Sequence, residues 1–249
     1  MDTFGKIDID ECQMYFGMDY KVNDYITIHT PTVGEIIEFG EREYFSVVRL
    51  FTCIPSDMKS QLWDMGVDYE EISDYELFIM LARSAQPDQT KLLFGDFDWT
   101  KLEVGENQEN HKIVMFNRET GAIIDELAYI KISSYLRKLH GIVPKVEHAL
   151  NKTTKKILID LDRQEILKNR EKEYKSQLLG LVSAMMRYPG FKYKSNELKE
   201  CSIYEFMDTV SGAQIYVSST ALLQGSYSGM VDTKKINKKE FNWLRSADE

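Results

Sequence analysis

His111-Lys112-Ile113-Val114-Met115-Phe116-Asn117-Arg118-Glu119-Thr120-Gly121-Ala122-Ile123-Ile124-Asp125 is the stretch that decides the fold class. Residues 111–116 and 122–125 read as two extended runs flanking a turn. Gly121 supplies the positive φ that a tight loop often needs, so a β-hairpin is the simplest account. From Glu126 onward the pattern is helical: Leu127, Ile130, Leu136 and Leu139 lie near one face, and Gly141 follows as a C-cap.

Upstream of the hairpin, Gln86-Pro87-Asp88 marks a change of character. Leu92-Leu93-Phe94 then leads through Gly95-Asp96-Phe97-Asp98-Trp99 into the β-rich part. Earlier still, Tyr25-Ile26-Thr27-Ile28-His29 alternates as a short strand does and is closed by Pro31. Three capping boxes predict helix starts: Thr32-Val33-Gly34-Glu35, Ser73-Asp74-Tyr75-Glu76 and Ser202-Ile203-Tyr204-Glu205. In each, a hydroxyl can accept from the N–H three residues on while the Glu reaches back. Gly40 and Pro55 interrupt the helical region carrying Tyr44, Val47, Val48 and Phe51. Residues 153–174 are laced with charge and predict a long surface helix. The more apolar residues 176–188, stopped by Pro189-Gly190, predict a buried one. Asn237-Lys238-Lys239-Glu240 suggests a last helix before Phe241 and Trp243.

The expected fold class is therefore α+β and predominantly α-helical, with a small antiparallel β element near residues 90–125 between two helical regions. Three parts are expected along the chain. Residues 1–23 form an irregular arm that orders only against a neighbour, 24–125 an acidic α+β region, and 126–249 a basic helical region, the last two being separate or one compact domain. The charge split behind this division is steep. Residues 1–125 hold 10 Lys+Arg against 25 Asp+Glu, a net −15, whereas residues 126–249 hold 21 against 15, a net +6. Such asymmetry favours docking of the basic half on an acidic surface, of its own kind or of a partner.

At 249 residues with 43% apolar and 29% charged residues, the chain has the composition of a globular protein, and collagen-like and low-complexity classes are excluded. No apolar run reaches the 18 residues a bilayer span needs, and the acidic start Met1-Asp2-Thr3 lacks a secretion signal, so residence in the cytoplasm of the cell that makes the chain is expected. Cys12, Cys53 and Cys201 form neither a pair nor a Cys-x-x-Cys motif and read as small core hydrophobes. Nucleic-acid binding is not expected, since no recognised motif is present and the acidic half repels phosphate.

The candidates for chemistry are thin. Asp96 and Asp98 would share one side of a strand and there hold a hard divalent ion, or else sit in a turn as solvated acids. Asp160 and Asp162 diverge if their segment is helical. Ser56-Asp57-Met58-Lys59 matches Ser-x-x-Lys without its companion motifs, and Gly225-Ser226-Tyr227-Ser228-Gly229 has Tyr where a nucleophile elbow needs Ser. His29, His111, His140 and His148 lack metal-ligand spacing, and no Walker A or Gly-x-Gly-x-x-Gly sequence occurs. No catalytic, cofactor or metal residue is expected. The 14 Tyr, 12 Phe and 3 Trp, many beside acids, point to interfaces as well as to core. The interface candidates are Tyr15, Phe16 and Tyr20 in the arm and Lys152, Lys155, Lys156, Lys168, Arg170 and Lys172 in the basic half, the cations giving steering more than affinity.

Longer words carry a resemblance. Pro31-Thr32-Val33-Gly34-Glu35-Ile36-Ile37-Glu38-Phe39-Gly40-Glu41, Tyr44-Phe45 and Ile54-Pro55-Ser56-Asp57-Met58-Lys59-Ser60-Gln61-Leu62-Trp63-Asp64-Met65-Gly66 resemble a family of tailed-bacteriophage proteins from Gram-positive hosts. Asn151-Lys152-Thr153-Thr154-Lys155-Lys156 and Ser218-Ser219-Thr220-Ala221-Leu222-Leu223-Gln224-Gly225 add to it, so that it spans residues 24–245. The opening Pro-Thr-Val-Gly-Glu segment is also similar to small baseplate-hub or hub-assembly proteins of contractile-tailed phages. The resemblance implies a virion-morphogenesis role, tail- or baseplate-associated, and no catalytic residues. The expected function is that of a non-enzymatic structural protein or assembly chaperone acting through protein–protein contact with other phage structural proteins or with its own copies. It would be found in the host cytoplasm during assembly or in the virion. The alternative is a phage-encoded metal-dependent enzyme using Asp96 and Asp98.

Overall fold

The computed structural model describes residues 7–108, 111–170, 172–232, 234 and 236–246. Within the segment read as an irregular arm, Asp10 caps a short helix, α1 (Glu11–Tyr15), its Oδ1 accepting from the Cys12 N–H at 2.9 Å. β1 (Tyr20–Lys21) then pairs antiparallel with β2 (Thr27–Ile28). This segment orders against its own chain and not only against a neighbour. Met14 and Val22 are buried in the main core, and Ser202 Oγ donates to the Tyr15 carbonyl at 3.0 Å. Elements this short have too few residues to show a period, which is why the arm reads as irregular.

The first capping box forms in full. Thr32 Oγ1 accepts from the Glu35 N–H at 3.2 Å, and Glu35 Oε2 accepts from the Thr32 N–H at 2.7 Å. It opens α2 (Val33–Phe39), and Gly40, at φ +109°, turns the chain into α3 (Glu41–Thr52). Only glycine adopts such a φ without strain. α3 is the centre of the body: Tyr44, Val47, Val48 and Phe51 face inward, and the helix packs against α2 and three later helices. After a single 3-10 turn at Pro55–Asp57 come α4 (Lys59–Asp64), α5 (Asp74–Ala82) and α6 (Pro87–Phe94). α6 corrects the expectation that Leu92-Leu93-Phe94 already belongs to the β element. Pro87 takes the first helical position, where its missing N–H costs nothing.

The β element itself is β3 (Glu103–Glu106), β4 (Ile113–Phe116) and β5 (Ile123–Ile124), in the order β3-β4-β5, with Met115 opposite both Val104 and Ile124. The expected hairpin is β4–β5. Asn117 Oδ1 accepts from the Glu119 and Thr120 N–H groups to hold the turn, and Gly121 lies at φ +75°. Asp125 then caps α7 (Glu126–His140), which ends on Gly141 in the left-handed region. The fold is thus α+β and predominantly helical, with a second small sheet at β1–β2.

α8 (Lys152–Arg170), α9 (Gln177–Arg187), α10 (Ser195–Glu200) and α11 (Ile203–Tyr227) complete the helices. α9 is not the buried helix its apolar sequence suggests. Leu178 and Met185 are buried, but Leu179 on its other side is 67% exposed. The last helix reduces to a 3-10 turn at Lys238–Phe241, tied to α11 where Ser219 Oγ donates to the Glu240 carbonyl at 2.8 Å.

One large core runs from Met14 to Val210, so residues 24–125 and 126–249 both contribute to it. Its centre is Trp99, fully buried, with ring centroids of Phe51, Phe94 and Phe97 at 4.7, 5.0 and 5.0 Å. A smaller core, Leu62, Tyr69, Leu77 and Ile159, lies beneath α8.

Candidate functional site

α8 is built onto the acidic half by charge. Ile159 is its single buried residue, too little apolar area to hold a 19-residue helix, so polar contacts do the rest. Lys155 Nζ donates to both carboxylate oxygens of Asp68, at 2.8 and 2.7 Å, and also to Glu70. These bonds hold the ammonium well above its ordinary range and hold both carboxyls below theirs. Arg163 pairs with Asp64 at 2.5 Å, and Asp162 Oδ2 accepts from Ser60 N–H and Oγ at 2.9 and 2.6 Å, satisfying an N–H at the buried start of α4 from another helix. The chain leading into α8 is pinned likewise: Lys59 pairs with Glu147 at 2.9 Å, and the Glu147 N–H donates to Ser56 Oγ at 3.0 Å.

These contacts place several sequence candidates. Ser56 and Lys59 form a latch: the lysine donates to the Ser56 carbonyl at 2.6 Å, and the serine hydroxyl accepts the Glu147 N–H at 3.0 Å. Lys155 is engaged within the chain. Lys172 bonds Asn169 at 2.8 Å, while Lys152, Lys156, Lys168 and Arg170 are exposed and form no ion pair among the described residues. Tyr15 is half-buried behind α11. Tyr20 stacks on Tyr135 with centroids 4.4 Å apart, and Phe16 stands 75% exposed. Tyr227 ends α11, 87% exposed.

Asp96 and Asp98 do not share the side of a strand. They lie in the turn after α6, where Asp98 caps a 3-10 turn by accepting from the Thr100 N–H and hydroxyl at 3.0 and 2.6 Å. No group of three or more His, Cys, Asp or Glu able to hold a metal occurs among the described residues. No helix of the described residues is long and apolar enough to cross a membrane.

One cluster escaped sequence reading. His29 is clasped by Asp19 at Nδ1, 2.7 Å, and Glu35 at Nε2, 3.2 Å. Burial lowers its pKa, but the two carboxylates outweigh burial and raise it. Asp19 and His29 line an open pocket of about 830 Å³ together with Tyr25, Phe39, Lys91, Asp96 and Phe97. Through its two carboxylate partners the imidazole joins β2, α2 and the segment before β1. No single segment signals it, because the three residues are 6 to 16 positions apart.

The other outstanding feature is uncovered apolar surface in the second half. Leu150 is 94% exposed, Val143 and Tyr227 87%, and Met230 86%. The chain presents 16209 Å² of surface, whereas a compact monomer of its mass presents about 11,400 Å².

Comparison with protein-family models, with curated proteins and with solved structures finds no match.

Proposed function

We propose that this chain is a non-enzymatic structural or assembly protein of tailed-phage virion morphogenesis, acting at the tail or baseplate by protein–protein contact. The highly exposed apolar side chains Val143, Leu150, Tyr227 and Met230 support this most, as side chains that contact with another protein would take out of water. The basic face of α8 lies in the same half, so the surface combines apolar area with charge that steers encounter. The resemblance of residues 24–245 to phage proteins supplies the biological setting.

The Asp96/Asp98 reading loses its geometric basis, since Asp98 is committed to its cap. Mass spectrometry of purified particles and of tail precursors from infected cells tests the proposal. Presence in finished particles makes the chain structural; presence on precursors alone makes it an assembly factor. Normal yields of infectious particles from a deletion phage would overturn the proposal.

A further inference from the structure

We propose that His29 is a pH-operated clip: while doubly protonated it ties the segment before β1 and the start of α2 to β2, and on giving up its Nε2 proton it lets go of α2. The proposal stands apart from the docking role given above.

The ring lies between two acids, and that placement fixes the protonation state it needs. Nδ1 is 2.7 Å from Asp19 Oδ1, and Nε2 is 3.3 and 3.2 Å from the two carboxylate oxygens of Glu35. An ionised carboxylate only accepts, so the ring must donate at both ends. The imidazolium does this, whereas the neutral ring turns a lone pair on one of the two acids.

Both acids are anchored on one corner of the backbone. Asp19 Oδ1 also accepts from the Thr30 N–H at 3.3 Å, and Glu35 Oε2 from the Thr32 N–H at 2.7 Å. Between the two threonines the Pro31 carbonyl accepts from the Ile203 N–H at 2.9 Å, and the Val33 N–H donates to the Cys201 carbonyl at 2.9 Å. The corner held by the clip therefore also carries the start of α11.

The charged groups around the ring are few. Asp19 comes from the segment before β1 and Glu35 from the first turn of α2. α6 packs behind the ring, where the His29 N–H donates to the Leu93 carbonyl at 2.8 Å. It brings Lys91, and in the turn after it Asp96, to the same pocket, with Tyr25 from the turn between β1 and β2. Lys91 and Asp96 are of opposite sign and neither bonds the ring, so the two carboxylates in contact decide its charge. Burial pulls the ring's midpoint down, and the carboxylates outweigh it and hold the midpoint above the ordinary 6.5. The clip is thus whole below about pH 6.5, and it opens as pH rises through the folded midpoint, with the stabilisation it gives lost over the same range.

The two ends differ. The Asp19 contact is the shorter, while Glu35 keeps its capping-box bond to Thr32 without the ring. The neutral ring therefore keeps its proton on Nδ1, toward Asp19, and presents the Nε2 lone pair to Glu35, which moves off.

Heteronuclear NMR of the isotopically labelled full chain from about pH 5.5 to 9 tests this, with the His29 signals assigned by their loss in His29→Gln. The ring is expected to titrate above 6.5 and to finish as the Nδ1–H tautomer, read from its two nitrogen shifts. The Thr32 amide should shift with the same midpoint and the Thr30 amide by much less. Asp19→Asn and Glu35→Gln should each lower the midpoint by about half a unit or more, and His29→Gln should leave the Thr32 amide flat over this range. Each carboxamide keeps an acceptor for its threonine N–H, circular dichroism checks that the variants fold, and the wild-type titration is decisive without them. A wild-type midpoint at or below 6.5, a neutral ring protonated on Nε2, or a Thr32 amide that does not follow the ring overturns the proposal.

Discussion

His140 makes the stability of this protein depend on pH in a calculable direction. Its Nδ1–H donates to the Leu136 carbonyl at 2.8 Å, so Nε2 carries the lone pair and accepts from the Tyr44 hydroxyl at 2.7 Å. Both nitrogens are satisfied only while the ring is neutral, and the ring packs beside those of Tyr44 and Phe45. Burial accordingly lowers the pKa from the ordinary 6.5 to about 4. With the folded value below the unfolded one, the unfolded chain takes up the proton first as pH falls. This contribution to stability is therefore complete above about pH 6.5, declines down to about pH 4 and is flat below. The full shift corresponds to about 3 kcal/mol. Since the residue keeps some contact with solvent, about 2 kcal/mol between pH 7.5 and 4.5 is the working figure. The assay is urea unfolding across that range, followed by tryptophan fluorescence, for wild type and His140→Gln. Carboxylates titrate in both proteins and cancel, so wild type should lose about 2 kcal/mol more than the variant. Parallel losses in the two proteins would refute the reasoning.

Three further outcomes follow from the packing. Trp99→Ala removes the centre of the aromatic cluster and should cost about 3–5 kcal/mol, read as a large drop in thermal midpoint; an unchanged midpoint would contradict the core described. Lys155→Met strips Asp68 and Glu70 of their common partner and should loosen α8 by about 2 kcal/mol, seen as faster hydrogen exchange across 152–170 while α3 and α7 remain protected. Equal acceleration in α3 would show that the helix is not locally held. Of the three cysteines, Cys12 is exposed, whereas burial pushes the Cys53 thiol up to about 11 and raises that of Cys201 as well. A native titration with a thiol reagent should show one fast thiol, and three after denaturation.

What could be read from the sequence was local. The Thr32/Glu35 and Ser73/Glu76 boxes form in both directions because all four groups lie within one turn. The third box forms by half: Ser202 accepts from the Glu205 N–H at 3.1 Å, but the Glu205 carboxylate goes to the Tyr193 hydroxyl. The β4–β5 hairpin was legible through Asn117 and Gly121, whose chemistry acts within five residues. β3 was not, because Glu103-Val104-Gly105-Glu106 is a strand by pairing with β4 and not by its own pattern. Pro87 at a helix start was available as a signal, yet the apolar run after it is equally compatible with a strand. The candidate site fared the same way. The basic character of 152–172 was plain, but which cations stay free depends on Asp64, Asp68 and Glu70, roughly 80 to 100 positions away. The His29 clip has the same long-range origin.

The measurement that bears most directly on the central claim is retention on purified tail precursors of wild type and of a variant carrying Lys152→Glu, Lys156→Glu, Lys168→Glu and Arg170→Glu, at low and at raised salt. These four cations are exposed and form no ion pair among the described residues, so the variant should keep the fold, checked by circular dichroism. Wild type should be retained at low salt and released as salt rises, and the variant should not be retained at either. Equal retention of the two proteins, indifferent to salt, would contradict the claim that this chain works by charge-steered contact with other proteins.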